Sequence, residues 1–490
     1  MSSRQLDILN NKADTSSQKP KGALNIKEII SEVQDAYLGD NRPWVIGYSG
    51  GKDSTCTLQL VWMALSALPR EKLSKDVYVL SSDTLVETPA IVNFIDKNIK
   101  KINISADKQN LPIKAHIVTP VIDDSFWVNL IGKGYPAPST RFRWCTERLK
   151  IDPANTFIKD RVSEFGEVIT VLGVRYGESA TRDQVMNLYK IENSRFSRHS
   201  TLKGALVYTP IQSFSVDNVW NFLLKHPNPW GSDNDDLLAM YRDAQASECP
   251  LVIDKTTKSC GNSRFGCWVC TVVTKDKAME AMIDNGQDWL EPLLVLRDRL
   301  AATQDPEAKK QVRDYRRRNG LIQFKNESDE FIRGPYTFEF RKTVLTELLE
   351  AEKEVNKNAP MGEKVTLIQV EELKEIRRIW RYEEGDWEDS VASIVQKITG
   401  NILKVEDDNI TGFDKSDALL LKSICNEQDV PPQLVYRLLE LETLSSAQIT
   451  RRGIHKKIDR LLRQDWRTEA DAKLARQTEL SEQISNEPPC

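Results

Sequence analysis

The sequence predicts an α/β protein built on a parallel sheet, followed by a helical region. Three observations carry this. From residue 23 to about 225, short apolar runs alternate with helical stretches, the pattern of strand–helix–strand units. A Ser-Gly-Gly-Lys-Asp-Ser turn at 49–54 joins the first apolar run to the next helical stretch, where such sheets bind phosphate. After about residue 340 the apolar residues recur at helical spacing, as in Val344, Leu345, Leu348 and Leu349, and again in Leu434, Val435, Leu438 and Leu439.

Taken in order, residues 1–22 are polar and read as a flexible tail. Helices are predicted over 24–38, 55–67 and 89–99, and strands over 44–48, 77–80, 113–118 and 168–174. The chain then divides into an α/β domain at 23–225, a cysteine-rich region at 226–340 and a helical region at 341–490. The apolar stripes of the last region read as packing faces.

The chain has 490 residues, 40% hydrophobic and 29% charged, enough for about three domains. Mean hydropathy is −0.46, and no apolar run approaches the roughly 20 residues that cross a bilayer. The N-terminus lacks an apolar stretch behind a basic start. The expectation is a cytoplasmic protein; membrane-spanning, secreted, collagenous and wholly disordered classes are excluded. With 68 Lys+Arg against 72 Asp+Glu the net charge is −4, which argues against nucleic acid gripped by the whole surface and leaves room for a local basic groove. Eight cysteines are too sparse for a disulfide scaffold. Clustered ones point to metal or redox chemistry.

The turn carries the strongest signal. Gly50 and Gly51 let the backbone bend tightly and approach a ligand. The following amides open a helix, where unpaired N–H groups and the dipole favour an anion. Ser49, Ser54 and Thr55 add hydroxyls, Lys52 offsets charge, and Asp53 holds Mg²⁺ or caps the helix. The spacing is not that of a Walker A loop. Ser82-Asp83-Thr84 with Glu87-Thr88 follows the second strand, at the ligand-binding edge. Gly173-Val-Arg175-Tyr-Gly-Glu178-Ser179 with Arg182 follows a later strand.

Cys260, Cys267 and Cys270 form a C-x6-C-x2-C group, and Cys145 lies in Thr140-Arg-Phe-Arg-Trp-Cys-Thr146. Four such thiols suit a [4Fe–4S] cluster or a structural Zn²⁺, and spacing alone does not choose. Cys249 is a fifth candidate, as a spare ligand or a sulfur carrier; Cys56 and Cys425 read as core, and Cys490 as a terminal thiol.

The Ser-Gly-Gly-Lys-Asp-Ser turn resembles the pyrophosphate loop of the N-type ATP pyrophosphatases, which have the adenine nucleotide alpha hydrolase-like fold. The Gly-x-Arg-x-x-Glu-Ser stretch, Arg182, and Tyr208-Thr-Pro-Ile211 before Val219-Trp220 resemble the phosphoadenosine phosphosulfate (PAPS) reductase branch. Residues 48–55, 140–146, 173–179 and 259–273 together resemble the DndC family, the sulfurtransferase component of bacterial DNA phosphorothioation. The resemblance covers roughly 25–345. It implies an enzyme that uses ATP and Mg²⁺, releases pyrophosphate and replaces a non-bridging oxygen of a DNA phosphate with sulfur. It also implies a [4Fe–4S] cluster on Cys145, Cys260, Cys267 and Cys270, a cysteine desulfurase as sulfur donor, and DndD and DndE as partners. Lys52, Asp53 and Arg175 would be catalytic. Ser49, Gly50, Gly51, Ser54, Thr55 and Asp83 would join them around ATP.

Three basic groups offer a path for DNA: Arg141, Arg143, Arg148 and Lys150; Arg195, Arg198, His199 and Lys203; and the run from Lys309 to Arg318. The first adjoins Cys145 and reads as the phosphate clamp. The rival readings are a PAPS reductase acting on a small sulfonucleotide, a tRNA thiolase and a non-enzymatic cluster-bearing scaffold. The ending Asn486-Glu-Pro-Pro-Cys490 lacks the reductase Glu-Cys-Gly-x-x-His pattern.

Overall fold

A computed structural model of the chain describes residues 25–178, 180–243, 266–360, 364–404, 413–446 and 453–485. The expected tail, Ser179, Cys249, Cys260 and Cys490 lie outside the described residues.

The sheet has six strands: β1 (Trp44–Gly47), β2 (Val77–Ser82), β3 (Ile113–Val118), β4 (Val168–Val171), β5 (Phe196–Arg198) and β6 (Ala205–Tyr208). Their spatial order is β3-β2-β1-β4-β6-β5. Every pairing is parallel except β5 on β6, where Phe196 faces Tyr208. The sheet is therefore mixed. Strand β5 folds back onto β6 through a short connection ending at Gly204 (φ +84°), and adjacent strands joined this way run antiparallel. The Phe-Ser-Arg sequence of β5 is too short and polar to signal a strand.

Three helices with α/β connectivity cover one face: α1 (Ile26–Leu38), α2 (Lys52–Ser66) and α3 (Pro89–Gln109). Trp44, Ile46, Val77, Val79, Ile169 and Val171 pack under them. The opposite face meets the helix Asp152–Phe165 through Val45, Tyr78, Leu80 and Val168. Covering on both faces explains the continuous burial of β1, β2 and β4. Helix α2 starts three residues earlier than predicted. Helix α3 runs ten residues further, through a polar stretch, and stops at Asn110, which takes a left-handed conformation.

A second core contains no strand. Val86, Phe126, Trp127, Trp144 and Trp268 pack with Leu293, Val344, Leu345, Leu348 and Leu349. It brings the 122–149 segment of the α/β region against the helices Glu291–Ala302, Phe338–Asn358 and Val370–Ile379. Indole N–H groups tie it together: Trp127 donates to Leu367 O at 2.7 Å and Trp380 to Ile131 O at 2.9 Å. Cys145 and Cys267 lie against this core. Leu434, Val435, Leu438 and Leu439 are only half-buried, on the helix Pro432–Ser446. Among the described residues no helix is long and apolar enough to cross a membrane.

Strand β4 ends at Val171 rather than at the predicted 174. There the chain peels away so that Gly173 can lie against the start of α2. A Cβ on Gly173 would stand 2.7 Å from Asp53 O and 2.9 Å from Thr57 Oγ1. Both are held, since Thr57 Oγ1 donates to Asp53 O. Gly173→Ala should therefore cost about 1–3 kcal/mol, the range for overpacking. Urea unfolding of the variant checks this, with Gly400→Ala compared for its left-handed backbone alone, because nothing lies within 4 Å of a Cβ there.

Candidate nucleotide and thiol site

The strand order reverses between β1 and β4, so the chain leaves these two neighbours in opposite directions and opens a crevice at their C-terminal ends. A cleft of about 1100 Å³ fills it. Its floor is the 49–54 turn. Gly50 has φ +71°, and a Cβ there would press on Phe94 and Ile95 at 3.4 Å. Ser54 Oγ donates to Gly51 O at 2.9 Å and accepts from Ser49 N–H at 3.2 Å, fixing the turn from within. Lys52, Asp53 and Ser54 form the first turn of α2, whose N–H groups have no partner inside the helix.

Asp53 sits at the centre. Arg175 Nε–H donates to its Oδ1 at 2.5 Å, and Lys52 Nζ to its Oδ2 at 3.0 Å. Arg175 is buried, so its charge is compensated by this carboxylate. A second donation, to Phe214 O at 3.4 Å, holds its far side. Asp53 is thus a positioning carboxylate that aims two cations. Its oxygens face Lys52 and Arg175.

Ser49, Gly50, Gly51, Lys52, Asp53, Ser54 and Arg175 line the cleft. Thr55 and Asp83 do not. Thr55 is buried beneath the turn. Asp83 Oδ1 instead accepts from Leu85 N–H at 2.8 Å, bracing a turn where Leu85 has φ +64°. Burial raises the Asp83 pKa, and Glu87 and Asp96 add to the rise.

At the cleft's far end lie Glu87 and Lys150, 3.3 Å apart. Glu87 pairs as an isolated bridge with Cys267, and Trp268 N–H donates to Val86 O at 3.0 Å. Thr84 Oγ1 is 3.3 Å from Cys267 Sγ and donates to Glu87 at 3.0 Å. Burial, reinforced by Glu87, pushes the Cys267 thiol up to about 12. Burial also raises the Cys145 thiol, and Cys270 is near enough to add to it. Cys145, Cys267 and Cys270 therefore share one electrostatic neighbourhood. Among the described residues no three His, Cys, Asp or Glu side chains are arranged to hold a metal ion.

Sequence reasoning missed the residue that anchors this thiol loop. Arg297 is fully buried. Its guanidinium donates to Cys270 O at 3.0 Å, to Thr274 O at 2.9 Å and to Val273 O. A lone arginine 27 positions downstream of Cys270 has no local signature. Tyr241 was missed for the same reason: its hydroxyl accepts from Lys52 N–H at 3.2 Å, and Lys52 Nζ lies 5.4 Å from its ring centroid.

The basic groups divide. Lys150, Arg182, Arg195 and Arg198 line the cleft; Arg141, Arg143 and Arg148 do not. Arg148 pairs with Asp124. His199 also lines the cleft but is a neutral donor, not a cation. Burial lowers its pKa, and Nδ1 accepts from Leu202 N–H at 3.1 Å, which leaves the proton on Nε2. In the 309–318 run, Arg313 and Arg317 donate to backbone carbonyls of Arg333 and Gly334, and Arg316 pairs with Asp314.

Residues 43–272, which contain the turn and Cys145, Cys267 and Cys270, match the phosphoadenosine phosphosulfate reductase domain family. A curated relative, an uncharacterized protein of Methanocaldococcus jannaschii, is 26% identical over 204 residues, 42% of this chain and 36% of that protein. The chain thus matches about a third of that relative's length. Among solved structures, the phosphoadenylyl-sulfate reductase of Candida auris in a phosphate complex is 13% identical, with TM-score 0.27, covering 46% of this chain and 87% of that one. The U34-tRNA thiolase NcsA of Methanococcus maripaludis, solved with its [4Fe-4S] cluster, is 15% identical, with TM-score 0.25, covering 45% and 73%.

Two outcomes follow from this geometry. Asp53→Ala strands the buried Arg175 charge and should cost about 3–5 kcal/mol, as removal of one partner from a buried pair does; urea unfolding reads it, and a loss below about 1 kcal/mol would contradict the pairing. Arg297→Leu leaves buried carbonyls unpaired at about 1–3 kcal/mol each. It should loosen the 270–274 loop, so Cys270 should label faster with a thiol reagent than in the parent protein.

Proposed function

We propose that the protein is an ATP-dependent sulfurtransferase that adenylates a DNA backbone phosphate, releases pyrophosphate and replaces a non-bridging oxygen with sulfur. One observation carries this reading. The phosphate-binding turn and the Glu87–Lys150 pair line the same cleft, and Glu87 is bridged to Cys267. A nucleotide bound at the turn would then meet the thiol loop at one sheet edge.

The chemistry divides between the two ends. At the turn, the amides of α2 and the Lys52 ammonium face charge that builds on the departing pyrophosphate, with Asp53 holding Lys52 and Arg175 in place. Adenylation makes an oxygen of the acceptor phosphate part of AMP, a good leaving group. A sulfur nucleophile then forms a P–S bond as the P–O bond to AMP breaks. With hydrosulfide no reductant is needed; a persulfide leaves a disulfide that a second thiol must cleave. A cysteine desulfurase is the donor in this reading, and DndD and DndE share the DNA.

Cys145, Cys267 and Cys270, with Cys260, would hold the [4Fe–4S] cluster. Four thiolates are the donor chemistry such a cluster takes, and Lys150, beside Glu87, would supply a compensating cation. A cluster there would supply a sulfur- or electron-bearing centre.

The test uses purified protein, ATP and duplex DNA. Pyrophosphate, not orthophosphate, should appear, and Lys52→Ala should lower its release by about 10²–10³-fold, the range for loss of one preorganised charge-stabilising donor. Release of sulfite from PAPS instead would move the protein to the reductase reading. For the thiols, Cys145→Ser and Cys270→Ser should lose iron and sulfide after anaerobic reconstitution, whereas Cys425→Ser, in the helix Lys415–Glu427, should keep both. Full iron content in Cys145→Ser would remove that residue from the ligand set.

A further inference from the structure

We infer that a second, basic pocket in the helical part of the chain binds the backbone of duplex DNA and leads it toward the thiols, an inference that rests on the DNA reading above. The pocket, of about 680 Å³, is lined by Arg318, Arg437, Lys456, Arg460 and Arg463, against only Glu383 and Asp459. It carries an excess of positive charge on a chain whose net charge is −4. Lys456, Asp459, Arg460 and Arg463 recur at helical spacing along one exposed face that starts in the helix Ile454–Leu462. Asp459 is occupied by Arg463 at 2.9 Å. Among the described residues, Arg318, Lys456 and Arg460 have no carboxylate partner.

The pocket is preformed. Gly320 has φ +79°, and a Cβ there would stand 2.3 Å from Gln464 Cδ. Asp465 N–H donates to Gly320 O at 2.9 Å, and Arg317 N–H to Leu321 O at 2.8 Å. The 317–321 turn is thereby locked onto 464–465. Arg437 reaches the same wall through Gln464 Oε1 at 2.8 Å. Its principal hydrogen-bond partner is a neutral amide, and burial lowers its pKa.

Arg318 joins this pocket to the thiol-bearing segment. Its guanidinium lies 4.7 Å from the Tyr135 ring centroid, and that of Arg148 lies 5.2 Å from it. Tyr135 stacks parallel to Phe142, with centroids 6.2 Å apart. Phe142 is exposed and sits between Arg141 and Arg143, three residues before Cys145. Cations and flat rings thus continue from the pocket to the thiol-bearing turn. Duplex DNA presents about one charge per 1.7 Å of axis, so a line of cations suits it. An exposed ring flanked by guanidinium groups offers a surface for a sugar or an unstacked base. An acidic protein would use the cations and leave the rings idle.

The experiment uses the full chain and a triple variant, Arg318→Glu/Lys456→Glu/Arg460→Glu, none of which touches the nucleotide turn or the thiols. Binding of a short fluorescein-labelled duplex is followed by anisotropy at several salt concentrations, with tRNA as a parallel probe. The variant should bind duplex at least about tenfold more weakly, with the salt slope lowered by about 2–3, since each lost phosphate contact removes about 0.9. Its ATP binding and melting temperature should match the parent. Unchanged affinity and slope, or a parent protein that binds tRNA or an acidic protein but not duplex DNA, would overturn the inference. Loss of duplex binding in the variant, with no sulfur incorporation by the parent, would uphold the pocket and refute the sulfur-transfer reading. Normal sulfur incorporation by the variant would do the reverse.

Discussion

The buried Arg175 is compensated by a carboxylate, and that pairing organises the turn end of the cleft. Arg175 leaves the end of β4, Asp53 opens α2 after β1, and their 2.5 Å contact ties the two strands where the sheet order reverses. Removing two charges from water is costly unless they meet in good geometry. The backbone around them is accordingly fixed: Gly173 lies against Asp53 O, and Thr57 caps the same carbonyl. Lys52 takes the other carboxylate oxygen. The 49–54 turn therefore presents a cation and helix amides already held in place, the kind of preorganised charge that electrostatic stabilisation uses.

The second organising contact is Arg297 beneath the thiol loop. Backbone carbonyls of 270, 273 and 274 accept its hydrogen bonds, and Asp298 at the surface balances its charge. A loop held by its carbonyls leaves its side chains free to face elsewhere. Cys270 is presented in that way, while Cys267 and Cys145 pack against the second core.

Much of this was legible in the sequence wherever chemistry is local. The apolar runs of β1, β2 and β4 announce strands because both faces of the sheet are covered. The Gly-Gly turn announces itself because Gly50 must take φ +71°. Strand β5 was hidden because three half-exposed residues carry no period. Arg297, Tyr241 and the pairing of Glu87 with Cys267 were hidden because the partners lie 23 to 189 residues apart, a separation that no local pattern encodes. The basic runs misled for a related reason: charge in a row says nothing about pairing. Arg313, Arg316 and Arg317 are spent on backbone carbonyls and Asp314, whereas Lys456 and Arg460, in an unremarked helix, face an open pocket.

The joint use of both ends of the cleft is the central claim, and mass spectrometry of the DNA tests it directly. Duplex DNA is incubated anaerobically with the reconstituted protein, ATP and a sulfur donor, then digested to nucleotides. The account predicts dinucleotides in which sulfur replaces one backbone oxygen, formed only with ATP and in proportion to pyrophosphate released. Pyrophosphate release with no sulfur-bearing dinucleotide, or sulfur incorporation that persists without ATP, would contradict it.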